Sequence, residues 1–119
     1  MSSRPCAYVN TSIVIRALNP GEPGHLEAKR ILEDCCRRCR CVYSSVHLSE
    51  IPEPYRRQIL AYLARHAELV RVDLAPLRAR ARSVIVERGL SASRELDLMH
   101  LEAASTLGCK YILARDRFI

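Results

Sequence analysis

The sequence predicts an α/β fold: a three-layer sandwich with a central parallel sheet of four strands. Three observations carry this expectation. Four short apolar segments have the length of strands, longer segments with apolar residues at helical spacing separate them, and Gly, Pro or Ser punctuates the joins. Strands alternating with helices along the whole chain call for parallel pairing with helices on both faces.

Each element follows in order. Cys6 to Asn10 reads as a short buried strand, and Thr11 to Leu18 as a brief apolar helix. Asn19-Pro20-Gly21 and Pro23-Gly24 mark a loop. A helix is predicted from about Gly24 to Cys36, with Ala28, Ile31, Leu32 and Cys35 on one face. Cys39 to Tyr43 is the second strand. Ser44 and Ser45 are natural caps for a helix carrying Val46 to Ile51. Pro52 and Pro54 break or restart that helix, and Tyr55, Ile59, Tyr62 and Leu63 form the next apolar stripe. Leu69 to Leu74 is the third strand. Leu77, Ala81, Val84 and Ile85 mark a helix stopped by Gly89. Ser91 or Ser93 caps a helix with Leu96, Met99, Ala103, Ala104 and Leu107 on one face, closed by Gly108. Lys110 to Ala114 is the fourth strand. No repeat, linker or low-complexity tract interrupts this pattern, so a single domain over 1–119 is expected.

The 119 residues are 49% hydrophobic, enough for one core. No apolar run reaches the roughly 18 residues of a membrane span, and the N-terminus lacks the apolar stretch of a secretory signal. A soluble, cytoplasmic protein with no membrane partner is the expectation. The net charge of +6 rests mostly on arginine, whose planar fork suits phosphate, although an arginine-rich solvated surface is the simpler reading. With no Trp and one Phe, a base-stacking platform for single strands is not expected.

The chemistry-bearing residues fall at the element ends. Asn10 ends the first strand, Glu50 lies one to two turns into the helix after the second, Asp97 is in the first turn of the helix before the fourth, and Asp116 follows that strand. In an open parallel sheet such positions gather beyond the carboxyl ends of the strands. Oxygen donors of this kind suit Mg²⁺ or Mn²⁺ and the metal-assisted hydrolysis of a phosphodiester. Taken singly each has a plainer role: Asp97 complements a helix dipole, Glu50 is a surface residue, Asp116 pairs with Arg115 or Arg117, and Asn10 closes a turn. Their joint placement favours the site. An aspartyl-nucleophile phosphotransferase would need an aspartate where Asn10 stands, and no Gly-rich phosphate loop is present.

Four segments carry a resemblance: Tyr8-Val9-Asn10-Thr11-Ser12-Ile13-Val14, Ser44-Ser45-Val46-His47-Leu48-Ser49-Glu50-Ile51, Asp97-Leu98-Met99-His100-Leu101-Glu102-Ala103-Ala104, and Tyr111-Ile112-Leu113-Ala114-Arg115-Asp116-Arg117-Phe118. In order and spacing they resemble the PIN-domain family and, within it, the VapC-type ribonucleases of toxin–antitoxin pairs. The resemblance covers nearly the whole chain. It implies that Glu50, Asp97 and Asp116 hold one or two divalent cations, that Asn10 takes the leading ligand position and that Ser12 supports it by hydrogen bonding. It also implies an RNA substrate cut by a Mg²⁺- or Mn²⁺-dependent endonuclease, an antitoxin partner and a homodimer, for which the Tyr55, Ile59, Tyr62, Leu63 helix is a candidate surface or simply core.

The sequence departs from the family pattern in three places. Asn10 replaces a leading aspartate and removes a full negative charge, Ala114 stands where a Thr or Ser is common, and the usual fifth strand is not evident before Ile119. The alternative reading is therefore an impaired PIN-like module that binds RNA or protein without cutting. His100 matches a family position but is expected to pack with one satisfied hydrogen bond. His25, His47 and His66 have no ligand-like spacing and are assigned none.

Six cysteines complete the inventory. Cys36 and Cys39 have C-x-x-C spacing, but a single such pair makes a poor zinc site. Cys6, Cys39 or Cys41, and Cys109 fall near strand beginnings, opposite the carboxylates. At least one disulfide or close thiol pair is expected among them. Intracellular disulfides and high arginine with few Asn and Gln suit a heat-adapted source.

Overall fold

In the computed structural model, residues 4–51, 53 and 55–114 are described. Strand β1 (Cys6–Val9) leads through α1 (Thr11–Leu18) and α2 (His25–Arg38) to β2 (Arg40–Ser44). Helices α3 (Ser45–Glu50) and α4 (Arg56–His66) precede β3 (Glu68–Val70). Helix α5 (Leu74–Arg88), a 3₁₀ turn (Ala92–Arg94) and α6 (Glu95–Thr106) lead to β4 (Tyr111–Leu113). All strand pairs are parallel, in the order β3-β2-β1-β4.

The order follows from burial. Strands β1 and β2 lie inside the sheet, and each sends alternate side chains into opposite layers. Ala7, Val9, Cys41 and Tyr43 pack with Ile13, Val14, Leu32, Ile59 and Leu63 from α1, α2 and α4. Tyr8 and Val42 pack with Val46, Leu77, Ala81, Met99 and Ala103 from α3, α5 and α6. Since both faces are covered, these strands read as continuous apolar runs. The α5–α6 pair is further tied by Arg78 and Arg82 to Glu95 at 3.4 and 2.7 Å, and by Arg80 to Glu102 at 3.3 Å.

Several predicted boundaries move. The third strand, expected at Leu69 to Leu74, ends at Val70, because the Asp73 side chain accepts from the Ala75 N–H at 3.3 Å and starts α5 at Leu74. Ser91 caps the 3₁₀ turn instead of α6, and Ser93 lies within that turn. Ser44 does cap α3, as expected, and is also the last residue of β2. In the α4 stripe, Ile59, Tyr62 and Leu63 are core while Tyr55 is exposed. No described helix is long and apolar enough to cross a membrane.

The cysteines sort themselves at the amino end of the sheet. Cys6 opens β1 and Cys109 precedes β4, and the two sit as a disulfide pair with Cα atoms 4.4 Å apart. Cys39 and Cys41 are buried free thiols. Cys36 meets Cys41, sulfur to sulfur at 2.8 Å, so the contact crosses from α2 to β2 instead of following the C-x-x-C spacing.

Candidate active site

Chain direction places a crevice at one edge. From β1 the chain moves outward through β2 and β3, then returns to put β4 on the other side of β1. Ligands of open parallel sheets sit beyond the carboxyl ends of the strands at such a reversal. Asn10 lies there: its N–H donates to the Leu113 carbonyl at 2.8 Å, extending the β1–β4 pairing by one step. It is also the N-cap of α1, and its Oδ1 accepts from the Ser12 backbone N–H at 3.4 Å. Ser12 thus bonds to Asn10 through its main chain.

Glu50 ends α3 and points back to α1, where the Thr11 hydroxyl donates to Oε1 at 2.7 Å. The same oxygen accepts from His100 Nε2 at 2.8 Å. These two contacts draw the start of α1, the end of α3 and the second turn of α6 together. Asp97, half-buried in the first turn of α6, lies three residues before His100 and so on the same side of that helix. Three of the four predicted site residues are therefore neighbours of one hydrogen-bonded junction. Asp116, with Arg115 and Phe118, lies outside the described residues, as do Pro52 and Pro54.

Electrostatics suit a charged Glu50. Burial pushes its carboxyl up, but the hydrogen bonds from His100 and Thr11 outweigh this, holding it below the ordinary carboxylate value. Asn10, Glu50 and Asp97 present hard oxygen donors, the chemistry that Mg²⁺ or Mn²⁺ takes. Among the described residues no three His, Cys, Asp or Glu side chains surround one point, and only two of the predicted carboxylates are among them. A cleft of about 570 Å³ runs from Thr11 and Glu50 past Ile15 and Ile51 to Tyr55 and Ile59. A larger hollow, about 780 Å³, lies away from Glu50, between the end of α2 and β4.

His47 and Thr11 carry no assigned role in the sequence, and His100 does more than expected. His100 makes two hydrogen bonds where one was expected: Nε2 to Glu50 and, fully buried, Nδ1 to the Tyr8 hydroxyl at 2.7 Å. His47, given no role, is fully buried. Its Nδ1 accepts from the Ser44 N–H at 3.0 Å, completing a capping box, and its Nε2 donates to the Val9 carbonyl at 2.6 Å. It thereby pins the carboxyl end of β1 to that of β2. Burial, then the neighbouring His100, push its pKa down to about 4. Thr11 gave no signal beyond standing after Asn10; its partner is 39 residues away.

The family model described as PIN domain matches residues 7–118. Among solved structures, the Mycobacterium tuberculosis VapC20 toxin, described as cleaving the sarcin–ricin loop, superposes with a TM-score of 0.71 at 20% identity, covering 94% of this chain and 91% of its own. VapBC2 from Rickettsia felis, solved bound to a DNA fragment from its promoter, gives a TM-score of 0.63 at 16% identity, covering 87% of this chain and 83% of the other. At these identities the likeness is one of fold. Curated protein sequences yield no match.

Proposed function

Because this chain belongs to the PIN-domain family, we propose that it is a single-domain, Mg²⁺- or Mn²⁺-dependent endoribonuclease, the toxin of a toxin–antitoxin pair. The observation that supports the proposal is the junction at Glu50, bonded by Thr11, the residue after Asn10, and by His100, three residues after Asp97. Asn10, Glu50, Asp97 and Asp116 would hold the cation, which would polarise the scissile phosphoryl group and lower the pKa of the attacking water. Glu50 serves as a charged ligand at neutral pH because its two donors keep it ionised. A structured RNA is the substrate class, by analogy with the toxin described as cleaving the sarcin–ricin loop. The VapBC2 assembly supports an antitoxin as partner. A homodimer, a cytoplasmic location and a heat-adapted source complete the proposal.

A second reading is favoured by Asn10 itself. Its Oδ1 is occupied as a helix cap and contributes no charge, which would leave a module that binds RNA or protein without cutting. Since Asn and Asp cap helices equally well, Asn10→Asp restores the charge without disturbing α1. A structured RNA incubated with Mn²⁺ separates the two. Cleavage by the wild type that disappears in Asp97→Ala supports the nuclease. A wild type that does not cut, beside an Asn10→Asp variant that does, establishes the binding module. Failure of both removes the nuclease reading.

A further inference from the structure

A row of buried polar side chains ends on Glu50. The Ser44 and Tyr8 hydroxyls meet at 2.8 Å, the Tyr8 hydroxyl meets His100 Nδ1 at 2.7 Å, and His100 Nε2 meets Glu50 Oε1 at 2.8 Å. Ser44 and Tyr8 are fully buried and His100 is 1% exposed. They sit against Val42, Val46 and Met99 in the layer formed with α3, α5 and α6. An apolar set of similar volume would fill that space at less cost, because each buried hydroxyl or imidazole must recover its lost hydration from a partner. Metal hydrolysis as outlined above uses His100 as a donor to Glu50 but neither of the two hydroxyls.

Their protons have one consistent direction. The Ser44 hydroxyl oxygen accepts from the Val46 N–H at 3.2 Å, which frees its proton for the Tyr8 oxygen. With its oxygen accepting from Ser44, the Tyr8 hydroxyl has its own proton to give to Nδ1. His100 is then protonated at Nε2 alone, the nitrogen facing Glu50. The opposite direction would make the Ser44 oxygen accept from both Tyr8 and Val46 and would strand the Ser44 proton.

We infer that Tyr8 and His100 are positioning residues for Glu50: the Ser44–Tyr8–His100 relay fixes the imidazole as an Nε2–H donor, which together with Thr11 occupies Oε1 and leaves Oε2 to face a divalent cation. The inference rests on Glu50 being a cation ligand. It explains why both donors fall on the same carboxylate oxygen. A carboxylate held in this way enters the site in one rotamer, so the ordering is complete before the cation arrives.

The test measures Mn²⁺ affinity by electron paramagnetic resonance and the His100 tautomer by long-range proton–nitrogen NMR, with thermal melting as a check on folding. The variants are Tyr8→Phe, His100→Leu, His100→Gln and Glu50→Gln. The wild type is expected to show His100 protonated at Nε2 only, and Tyr8→Phe to lose that single tautomer. Loss of such an orienting donor weakens metal affinity about 10- to 100-fold, the result expected for His100→Leu, with Tyr8→Phe weakened in the same direction. His100→Gln, whose amide can still donate to Glu50, is expected to recover most of the loss. If Glu50→Gln weakens Mn²⁺ binding while Tyr8→Phe and His100→Leu bind as the wild type does, the relay inference alone is overturned. Equal weakening by His100→Gln and His100→Leu also overturns it, since any change there would then act structurally. A Glu50→Gln variant that binds Mn²⁺ as tightly as the wild type removes the ligand reading, and this inference with it. Should His100→Leu not fold, Tyr8→Phe, which deletes one hydroxyl, still decides the outcome.

Discussion

Acid should destabilise this protein through His47, beginning as the pH falls below 6.5. The imidazole is fully buried, its Nδ1 accepts from Ser44 and its Nε2 donates to Val9, so the folded state holds it neutral with a pKa of about 4 against an ordinary 6.5. The unfolded chain takes up a proton as the pH falls below 6.5, while the folded protein does so only near 4. Stability from this group is therefore complete above 6.5 and drains away as the pH drops toward 4. With one proton bound only in the unfolded state the slope approaches about 1.4 kcal/mol per pH unit, so lowering the pH from 7 to 5 costs about 2 kcal/mol. That is a large share of a small domain's margin of about 5–15 kcal/mol. Glu50 has the same sign but acts lower: its pKa is depressed below 4.5, so its contribution is lost only as the pH falls through its folded value. Urea unfolding followed by circular dichroism at pH 7 and pH 5, at constant ionic strength, measures the difference. His47→Gln retains a side chain that can complete the capping box but does not titrate, and its unfolding free energy should change far less between the two pH values. A wild type whose stability shifts by less than about 0.5 kcal/mol across that window, well under one slope unit, would refute the reasoning. So would a His47→Gln variant with the full pH dependence.

Two further outcomes follow from the backbone and the thiols. Reducing the Cys6–Cys109 pair, which spans 103 residues of chain, should cost about 3–5 kcal/mol by releasing the unfolded state; the Cys6→Ser variant should match the reduced wild type in urea and be insensitive to reductant. Gly89→Ala should lose about 1 kcal/mol in the same assay, because Gly89 ends α5 at φ 62°, where a side chain is strained although nothing nearby would clash with it.

The outline of the fold was legible because β1 and β2 are covered on both faces, so burial writes itself into sequence as unbroken apolar runs. Helix α5 is hard to place at its start: Val72 and Leu74 are apolar and extend the predicted third strand, while the cap that begins the helix is the single Asp73 between them. Local signals were most reliable where cause and effect are close in sequence, as with Ser44 and its cap two residues on. The hydrogen-bonded surroundings of Glu50 were illegible for the opposite reason. Thr11 and His100 lie 39 and 50 residues from it, and Tyr8 lies 92 from His100; nothing within a turn of each residue reports its partner. Cys36 misled in the same way, since the favoured spacing pointed to Cys39 and the contact made is with Cys41.

The wide sequence separation of the relay also has a consequence in time. A ribosome releases Asn10, Ser44 and Glu50 in the first half of the chain, and these can order around β1 and β2 at once. Asp97 and His100 emerge much later, and the Leu113 carbonyl that receives the Asn10 amide later still. A nascent chain halted before α6 therefore carries the leading members of the site without the partner that holds Glu50 in place or the strand that closes the sheet beside Asn10. The edge is assembled only once α6 and β4 have both been made, so a product truncated before them should lack the Glu50 junction and the closing strand.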